Sequence, residues 1–305
     1  MKDLDLTTLR LFVAVCDSRS IVRVAERENI VPSAISKRLA QLEVDVGCQL
    51  LQRIRRGVEP TAAGETLREH ARGLLGSAQR ITDDMRAYTA GAAGLVRLVA
   101  TTSSVAESLP EDIAEFLKSP VHHAIRVNVQ EQLSRDVVRA VREGSVSLGV
   151  CWDAADLSGL QTYPYRQDHL AIVTPAGHAL AGRRDMAFAE SLEFDQVTLP
   201  AASAVCLMLV RAAANTGQSL HYRAEVSTFE AALRVVRSGL GISVVPREVA
   251  LPLAAAFDLH VIPLTDAWAR RRFVICFQDE GALSPAAKLL AAHLTQASSR
   301  ATRFI

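Results

Sequence analysis

Apolar residues recur at helical spacing in three segments near the amino terminus, and this pattern predicts three helices. The first begins at Asp5 or Thr7, and its apolar face consists of Leu6, Leu9, Phe12, Val13 and Cys16. The second begins after Ser20, whose hydroxyl can cap the free amides of the first turn. The third begins at Pro32, which suits a first helical position because it has no amide to leave unpaired. Its inward stripe consists of Ile35, Leu39, Leu42 and Val46.

Only a turn at residues 28–31 separates the second and third helices, so the pair forms a predicted helix-turn-helix. The outer face of the third helix has small polar side chains at its tip and cations just behind them. Such a tip suits base edges in a DNA major groove, and the cations suit phosphates. The candidate DNA-binding residues on this helix are Pro32, Ser33, Ala34, Ser36, Lys37 and Arg38. The alternative is an ordinary amphipathic hairpin whose polar face is solvated.

A short basic wing is predicted at residues 50–61, after Gly47 ends the third helix. Arg53, Arg55 and Arg56 lie in this wing. A basic wing beside a basic helix tip provides two groups of phosphate contacts that flank one groove, and this favours DNA binding.

A long helix is predicted from Thr61, its cap, to about residue 90. Its apolar residues alternate at intervals of four and three as far as Tyr88, which is a heptad pattern. We expect this helix to pair with a second copy of the chain, although packing against its own chain is the alternative. The candidate dimerisation residues are Leu67, Ala71, Leu74, Ala78, Ile81 and Met85.

The pattern changes after a predicted hinge at residues 91–94. Strands then alternate with helices, which predicts a parallel sheet in an α/β domain. The predicted strands are 95–100, 125–130, 146–150, 169–173, 196–199, 222–226, 242–245, 261–264 and 273–277. The predicted helices are 104–118, 134–143, 228–238 and 284–296.

Hydroxyl side chains follow three of these strands, where each leads into a helix. The segments are 101–104, 200–203 and 227–228, and Ser227 has capping-box spacing to Glu230. Ligands of open parallel sheets bind at the carboxyl ends of strands, and helix amino termini favour anions. The candidate residues of a small-molecule site are Thr102, Ser103, Gln130, Trp152, Ser203, Ser227 and Ile242. The alternative is that each hydroxyl only caps its own helix. The pattern marks no arginine as a carboxylate clamp.

Composition narrows the functional classes. The 305 residues carry a net charge of +1, so any affinity for DNA must come from a local patch. Five cysteines without a CxxC pair indicate free thiols in a reducing compartment. The first residues do not resemble a signal peptide, and the longest apolar run, Val205 to Val210, is far below the ~20 residues that span a bilayer. We therefore expect a cytoplasmic protein.

Motifs of catalysis and of cofactor binding are missing from the sequence. It contains no GxSxG, GxGxxG or P-loop, and the pair His122-His123 has no carboxylate or cysteine at ligand spacing. We expect no enzymatic activity, no metal and no cofactor. A solute-binding protein is a second alternative, which the carboxyl-terminal half alone allows and the basic amino-terminal domain disfavours.

Residues 1–90 resemble the winged helix-turn-helix and linker helix of LysR-type transcriptional regulators. The matching residues are Leu9, Phe12, Ser20, Ala25, Ser33, Ala34, Ile35, Ser36, Leu42, Glu43, Gly47, Leu50, Leu51, Arg53, Thr61 and Gly64. The chain departs from the family pattern at Val31, where a capping Ser or Thr is usual, and at Glu28 and Pro60, where leucines are common.

The remainder is similar to the effector domain of the same family, which has a two-lobed periplasmic-binding-protein fold. The matching segments are 94–98, 144–150, 239–242 and 245–246. The resemblance implies a DNA-binding domain at 1–60, a linker helix at 61–90 and an effector domain at 91–305. In that domain, lobe I comprises 92–162 and 267–305 and lobe II comprises 163–266, with crossovers near 162–165 and 264–268.

The resemblance also implies partners. These are double-stranded DNA, a second or further copies of the chain as a homodimer or homotetramer, RNA polymerase, and a small organic effector bound between the lobes. Cys206 lies about where peroxide-sensing members place a reactive cysteine. Residues 207–220 offer no resolving thiol and the neighbouring side chains are apolar, so we do not expect a redox switch there.

Overall fold

The computed structural model describes residues 4–55, 57–89 and 94–301. Its amino-terminal domain has three helices and a two-stranded antiparallel wing, as the sequence predicts. These elements are α1 Leu6–Ser18, α2 Ile21–Glu28, α3 Pro32–Val46, β1 Leu51–Ile54 and β2 Gly57–Pro60.

Local side-chain chemistry sets the limits of these helices. The carboxylate of Asp5 accepts hydrogen bonds from two amides of the first turn, so α1 begins from the first of the two predicted positions. The hydroxyl of Ser20 accepts from the amide of Arg23 at 3.3 Å and caps α2. Asn29 and Gly47 end α2 and α3 in left-handed conformations, at φ of 54° and 76°.

The core of this domain lies between α1 and α3. Ile35 and Leu39 from α3 are at most 4% exposed and pack in one cluster with Phe12 of α1. Leu6 is 46% exposed, so its assignment to the buried face of α1 was wrong. Helix α3 is therefore fixed by its inward stripe and leaves its other face to solvent.

The linker helix α4, Ala62–Thr89, follows the wing and packs closely against the backbone just before it. The hydroxyl of Thr61 accepts from the amide of Gly64 at 3.0 Å and caps α4 as predicted. A Cβ atom on Gly64 would lie 2.0 Å from the carbonyl oxygen of Leu50. Only glycine allows this approach, which explains physically why the position matches the family motif.

The heptad seam of α4 divides between two environments. Ala71 is fully buried in the core of the winged domain, and Leu67 is partly buried against it. The assignment of Ala71 to a dimer interface was therefore wrong, because its own chain covers it. Leu74, Ile81 and Met85 are 48–64% exposed. Residues 90–93, which include most of the predicted hinge, lie outside the described residues, as does the side chain of Tyr88.

Lobe I of the carboxyl-terminal half contains the sheet strands β3 Gly94–Ala100, β4 Ile125–Glu131, β5 Leu148–Trp152, the first part of β6 Gln161–Pro175, and β11 Arg270–Phe277. β3 is parallel to β4 and β5, whereas β11 is antiparallel to β5 and β6. The sheet is thus mixed and not parallel throughout as predicted. The lobe's helices are α5 Thr102–Glu107, α6 Leu109–Lys118, α7 Ser134–Arg142 and α11 Pro285–Ala301. The single helix predicted at 104–118 is broken at Ser108, two residues before Pro110.

Lobe II contains the second part of β6, together with β7 Gln196–Thr198, β8 Tyr222–Glu225, β9 Ser243–Pro246 and β10 Leu259–Pro263. β9 and β10 are antiparallel to β6, and β7 is parallel to β8. Its helices are α8 Ala204–Asn215, α9 Phe229–Arg237 and α10 Arg247–Phe257. The sequence pattern predicted the limits of α9, only a helix start after residues 200–203 for α8, and nothing for α10.

The two lobes have separate hydrophobic cores, which locate the crossovers between them. Along β6, Tyr165 belongs to the core of lobe I and Leu170 to that of lobe II. On the return, Ala269 belongs to lobe II and Phe273 to lobe I. The crossovers therefore lie at 166–169 and 270–272, a few residues later than predicted.

Among the described residues, no helix is long and apolar enough to cross a membrane. In the same part of the chain, no group of three or more His, Cys, Asp or Glu residues is placed to hold a metal ion. All five cysteines are free thiols, and Cys206 is 5% exposed.

Candidate DNA interface and effector cavity

The tip of α3 presents most of the predicted DNA-binding side chains to solvent. Ser33, Ser36 and Lys37 are exposed, as is Pro32, and Ala34 is half-buried. The N-cap residue of α3 is Val31, which makes no side-chain hydrogen bond to the helix. The amides of the first turn thus lack the side-chain partner that a Ser or Thr would give.

Arg38 has a structural partner of its own. Its Nη1 donates to Asp5 Oδ2 at 3.1 Å and to Thr8 Oγ1 at 3.3 Å, which ties α3 to α1. Its side chain is still 50% exposed. Arg38 is therefore less free than Lys37 to bind a phosphate, a difference that spacing along α3 did not show.

The wing carries further exposed cations. Arg53 and Arg55 are exposed. Arg56, the third predicted phosphate contact of the wing, lies outside the described residues. The described wing and helix tip together carry Lys37, Arg38, Arg53 and Arg55 as candidate phosphate contacts.

Most of the predicted effector-binding hydroxyls in the structure are engaged within the chain. Thr102 Oγ1 donates to Glu131 Oε1 at 2.6 Å. Ser103 is 5% exposed, and its hydroxyl accepts from Arg271 Nη2 at 3.1 Å. Ser203 caps α8, since its hydroxyl accepts from the amide of Cys206 at 3.2 Å. Of these three, only Ser203 matches the alternative in which each hydroxyl caps its own helix, because Thr102 and Ser103 bind side chains outside α5.

Two statements about the predicted effector-binding residues were wrong, namely the capping box of Ser227 and the place of Ile242 in a cleft wall. Thr228, and not Ser227, caps α9 by accepting from the amide of Ala231 at 3.1 Å, so the predicted capping box was wrong. Ile242 is fully buried in the core of lobe II and cannot form a wall of the cleft in this conformation. Gln130 is exposed at the end of β4, and Trp152 is half-buried.

A cavity of about 720 Å³ lies between α7 of lobe I and α8 of lobe II, and we call it the inter-lobe cavity. Its apolar lining includes Leu133, Val138, Trp152, Leu207, Met208, Ala212 and Trp268. Its polar lining consists of Ser134, Arg135, Arg142, Asp156, Arg211 and Asn215. Both tryptophans of the chain therefore face one space, with Trp152 supplied by lobe I and Trp268 by lobe II.

Of the predicted effector-binding residues, only Trp152 lines this cavity. Sequence reasoning missed the lining because α7 and α8 are distant in the chain and meet only after folding. One signal was available in α8, whose apolar residues are more numerous than one buried face needs. Leu207 and Val210 on that helix are 58% and 51% exposed.

A buried group of charges joins the lobes at the crossovers. Arg271 is 1% exposed, and its Nε donates to Asp168 Oδ1 at 2.8 Å. Its Nη2 also donates to Asp168 Oδ2 and lies 3.9 Å from Glu107 Oε1. This buried cation neutralises Asp168, so the two crossover strands are held by a fully desolvated ion pair.

Glu107 and Glu248 add two acids to this group. Burial raises the pKa of Glu107 well above its usual range, and the adjacent charge of Asp168 raises it further. Burial also raises the pKa of Glu248, which accepts from the amide of His169 at 3.2 Å. A protonated Glu107 can donate to Asp168, and this removes the repulsion between two carboxylates that share one arginine.

Replacing Glu107 with glutamine should make stability less dependent on pH. Because the folded-state pKa of Glu107 is raised, its stabilising contribution is complete below the unfolded value of 4.5 and is lost as pH rises through the folded-state pKa. Glu107→Gln stays neutral at every pH and can still donate to Asp168. We expect its Tm to match wild type at the acidic end and to exceed it increasingly at higher pH, measured by thermal unfolding across a pH series. The control is Glu111→Gln, which removes a carboxylate at an exposed position on α6. A Tm difference between Glu107→Gln and wild type that does not change with pH would contradict the raised pKa of Glu107.

The linker helix also contacts lobe I. Arg72 Nη2 lies 2.5 Å from Asp17 Oδ1 of α1, and Arg72 Nη1 lies 2.9 Å from Glu143 Oε1 at the end of α7. A Cβ atom on Gly76 would lie 2.9 Å from the carbonyl oxygen of Glu143. One arginine of α4 thus connects the winged domain to the effector domain.

Two family models cover nearly the whole chain. The model of the bacterial regulatory helix-turn-helix protein, lysR family, matches residues 6–65, and that of the LysR substrate binding domain matches residues 89–299. The chain belongs to the LysR family of transcriptional regulators, which combine a DNA-binding helix-turn-helix domain with an effector-binding domain.

Individual relatives agree with this assignment. The chain is 26% identical over 284 residues to the HTH-type transcriptional regulator YbhD of Escherichia coli, which covers 93% of this chain and 89% of that protein. It is 27% identical over 285 residues to the RuBisCO operon transcriptional regulator of Allochromatium vinosum, with 92% of each covered.

Solved structures show the same fold at low sequence identity. The LysR family regulator CbnR superposes with a TM-score of 0.65 at 20% identity, covering 97% of this chain and 99% of that one. Full-length CbnR complexed with its target DNA gives a TM-score of 0.64 at 21% identity, covering 96% of this chain and all of that one.

Proposed function

We propose that this regulator binds operator DNA in the cytoplasm as a homodimer or homotetramer and acts there on RNA polymerase. In this proposal α3 enters the major groove, with Ser33, Ala34 and Ser36 toward the bases. A small organic effector in the inter-lobe cavity controls the binding, and no metal or cofactor takes part. The cavity between helices of opposite lobes carries the proposal, since a ligand there contacts both lobes at once.

Self-association in this proposal uses the outer part of α4. Leu74, Ile81 and Met85 form an apolar stripe that is 48–64% exposed and continues the heptad spacing beyond the winged domain. Paired chains place two recognition helices on one face of the DNA, where they read two half-sites. The effector alters DNA binding only through its different affinity for the two lobe arrangements.

Removing the cations of the tip and wing should reduce the salt dependence of operator binding. Each phosphate contact adds about 0.9 to the slope of log affinity against log salt concentration. The variant Lys37→Gln/Arg53→Gln/Arg55→Gln should therefore lose roughly 2.7 of that slope per chain. Genomic footprinting identifies an operator, and titration of that DNA at several salt concentrations measures the slope.

The control replaces three exposed arginines of lobe II, in Arg183→Gln/Arg223→Gln/Arg234→Gln, which removes the same charge far from the tip. This control should keep the wild-type slope. Equal loss in both variants would mean that overall charge, and not a defined DNA-binding surface, drives the association.

A further inference from the structure

We infer that the inter-lobe cavity binds an amphipathic organic anion, namely a carboxylate attached to an aromatic or branched apolar body. This inference rests on the proposed effector role of the cavity and names the chemical class of its ligand. The cavity volume of about 720 Å³ lies within the ~300–1,000 Å³ of small-molecule sites.

The apolar body follows from the walls. Trp152 of lobe I and Trp268 of lobe II contribute aromatic surface, and Leu207 and Met208 of α8 contribute flexible aliphatic surface. Trp268 is held by an edge-to-face contact with Phe188 at 5.5 Å between ring centroids, so its position is fixed. A flat or branched apolar group would gain contact with both lobes, whereas a sugar or other polyol would leave this apolar surface without an apolar partner.

The negative charge follows from an excess of cations in the lining. Three arginines, Arg135, Arg142 and Arg211, face the cavity with a single acid, Asp156. Arg142 is already committed, because its Nη2 donates to Asp156 Oδ2 at 3.1 Å and to the carbonyl oxygen of Ser158 at 3.0 Å. The remaining two cations repel a cationic ligand and attract a carboxylate.

Arg211 is the free cation of the pair. Within residues 4–55, 57–89 and 94–301 it makes no hydrogen bond or ion pair, whereas Arg135 lies 3.8 Å from Asp136. Arg211 lies on α8, so its charge is presented from lobe II.

Lobe I offers a matching polar group. The hydroxyl oxygen of Ser134 lines the cavity and is buried without a hydrogen-bond partner among the described residues. Such an orphan costs free energy that a ligand can recover. Ser134 is also the first residue of α7, whose N-cap residue Leu133 provides no side-chain hydrogen bond. A carboxylate in the cavity therefore has a cation on one lobe and a hydrogen-bonding helix start on the other.

The test uses a pair of probes with the same body and different charge. Phenylbutanoate and its neutral amide, phenylbutanamide, are titrated into the full-length protein while tryptophan emission is recorded, since both tryptophans line the site. We expect a saturable change with the anion at about tenfold higher affinity than with the amide, which corresponds to about 1.4 kcal/mol. Butanoate, which lacks the apolar body, should bind at least about tenfold more weakly than phenylbutanoate.

The variant Arg211→Gln should bring the affinity of the anion down to that of the amide, while Arg223→Gln on the exposed surface of lobe II should leave the ratio unchanged. Equal affinity of the two probes, a ratio that survives Arg211→Gln, or no binding by either probe would each overturn the anionic class. The operator titration above uses no ligand, so its outcome judges the DNA-binding role separately from the ligand class.

Discussion

Replacing Arg271 with methionine is expected to lower the free energy of unfolding of the effector domain by about 3–5 kcal/mol. Arg271 is 1% exposed, and Asp168 beside it has a fully buried side chain. Removing the arginine leaves Asp168 in a desolvated site without a counter-charge, with Glu107 next to it. Urea unfolding of the full-length chain, followed by circular dichroism, measures the loss.

The neighbouring arginine provides the control for this experiment. Arg272 is 73% exposed and pairs with Asp153 at 2.9 Å. Exposed ion pairs contribute about 0–1 kcal/mol, so Arg272→Met should be nearly neutral. If the two variants lost the same stability, the buried charges would have no special part in holding the crossovers.

The variant Ile35→Ala should destabilise the winged domain by about 2–5 kcal/mol, because it opens a cavity under the recognition helix. Ile35 is completely buried in the cluster between α1 and α3. Operator affinity should fall with the folded fraction of this domain, while the separate cores of the two lobes remain intact. Thermal unfolding and operator titration of the same sample measure both effects.

Val44 on the same helix is 65% exposed, so Val44→Ala changes a similar side chain without opening a cavity. It should keep wild-type stability and operator affinity. Alanine is the better helix former, so a comparable loss in Val44→Ala would contradict burial as the cause of the effect at Ile35.

The winged domain was predictable because its signals are local. The hydroxyl of Ser20, the ring of Pro32 and the left-handed Gly47 each act within one turn of their own helix. The stripe of α3 follows from helical periodicity alone. Such features depend on the nearest few residues, which the sequence displays directly.

In the linker helix, periodicity alone does not predict which apolar residues are buried. The same heptad spacing runs through Ala71 and Ile81, yet the first is fully buried by its own chain and the second is 64% exposed. Spacing identifies a face of a helix but does not say which surface covers it. That depends on how far the winged domain extends along α4.

The α/β fold of the effector domain was predictable from the sequence, but the residues that meet at its cavity and its buried charges were not. Arg271 and Asp168 are 103 positions apart, and they meet because β11 returns antiparallel beside β6. The cavity likewise forms between α7 and α8, whose pairing no local signal specifies. The sequence offers two adjacent hydroxyls, Ser227 and Thr228, as the N-cap of α9, and the structure has Thr228 in that position.

Helix α7 touches the cavity at one end and the linker at the other. Ser134 at its start lines the cavity, and Glu143, directly after its last residue, pairs with Arg72. At ~1.5 Å per residue, its nine residues form a strut roughly 13 Å long. A tilt of this strut must either carry α4 along or break the pairing with Arg72, which also holds Asp17. Arg72 therefore connects the helix that starts at the cavity, α7, to α1 of the winged domain.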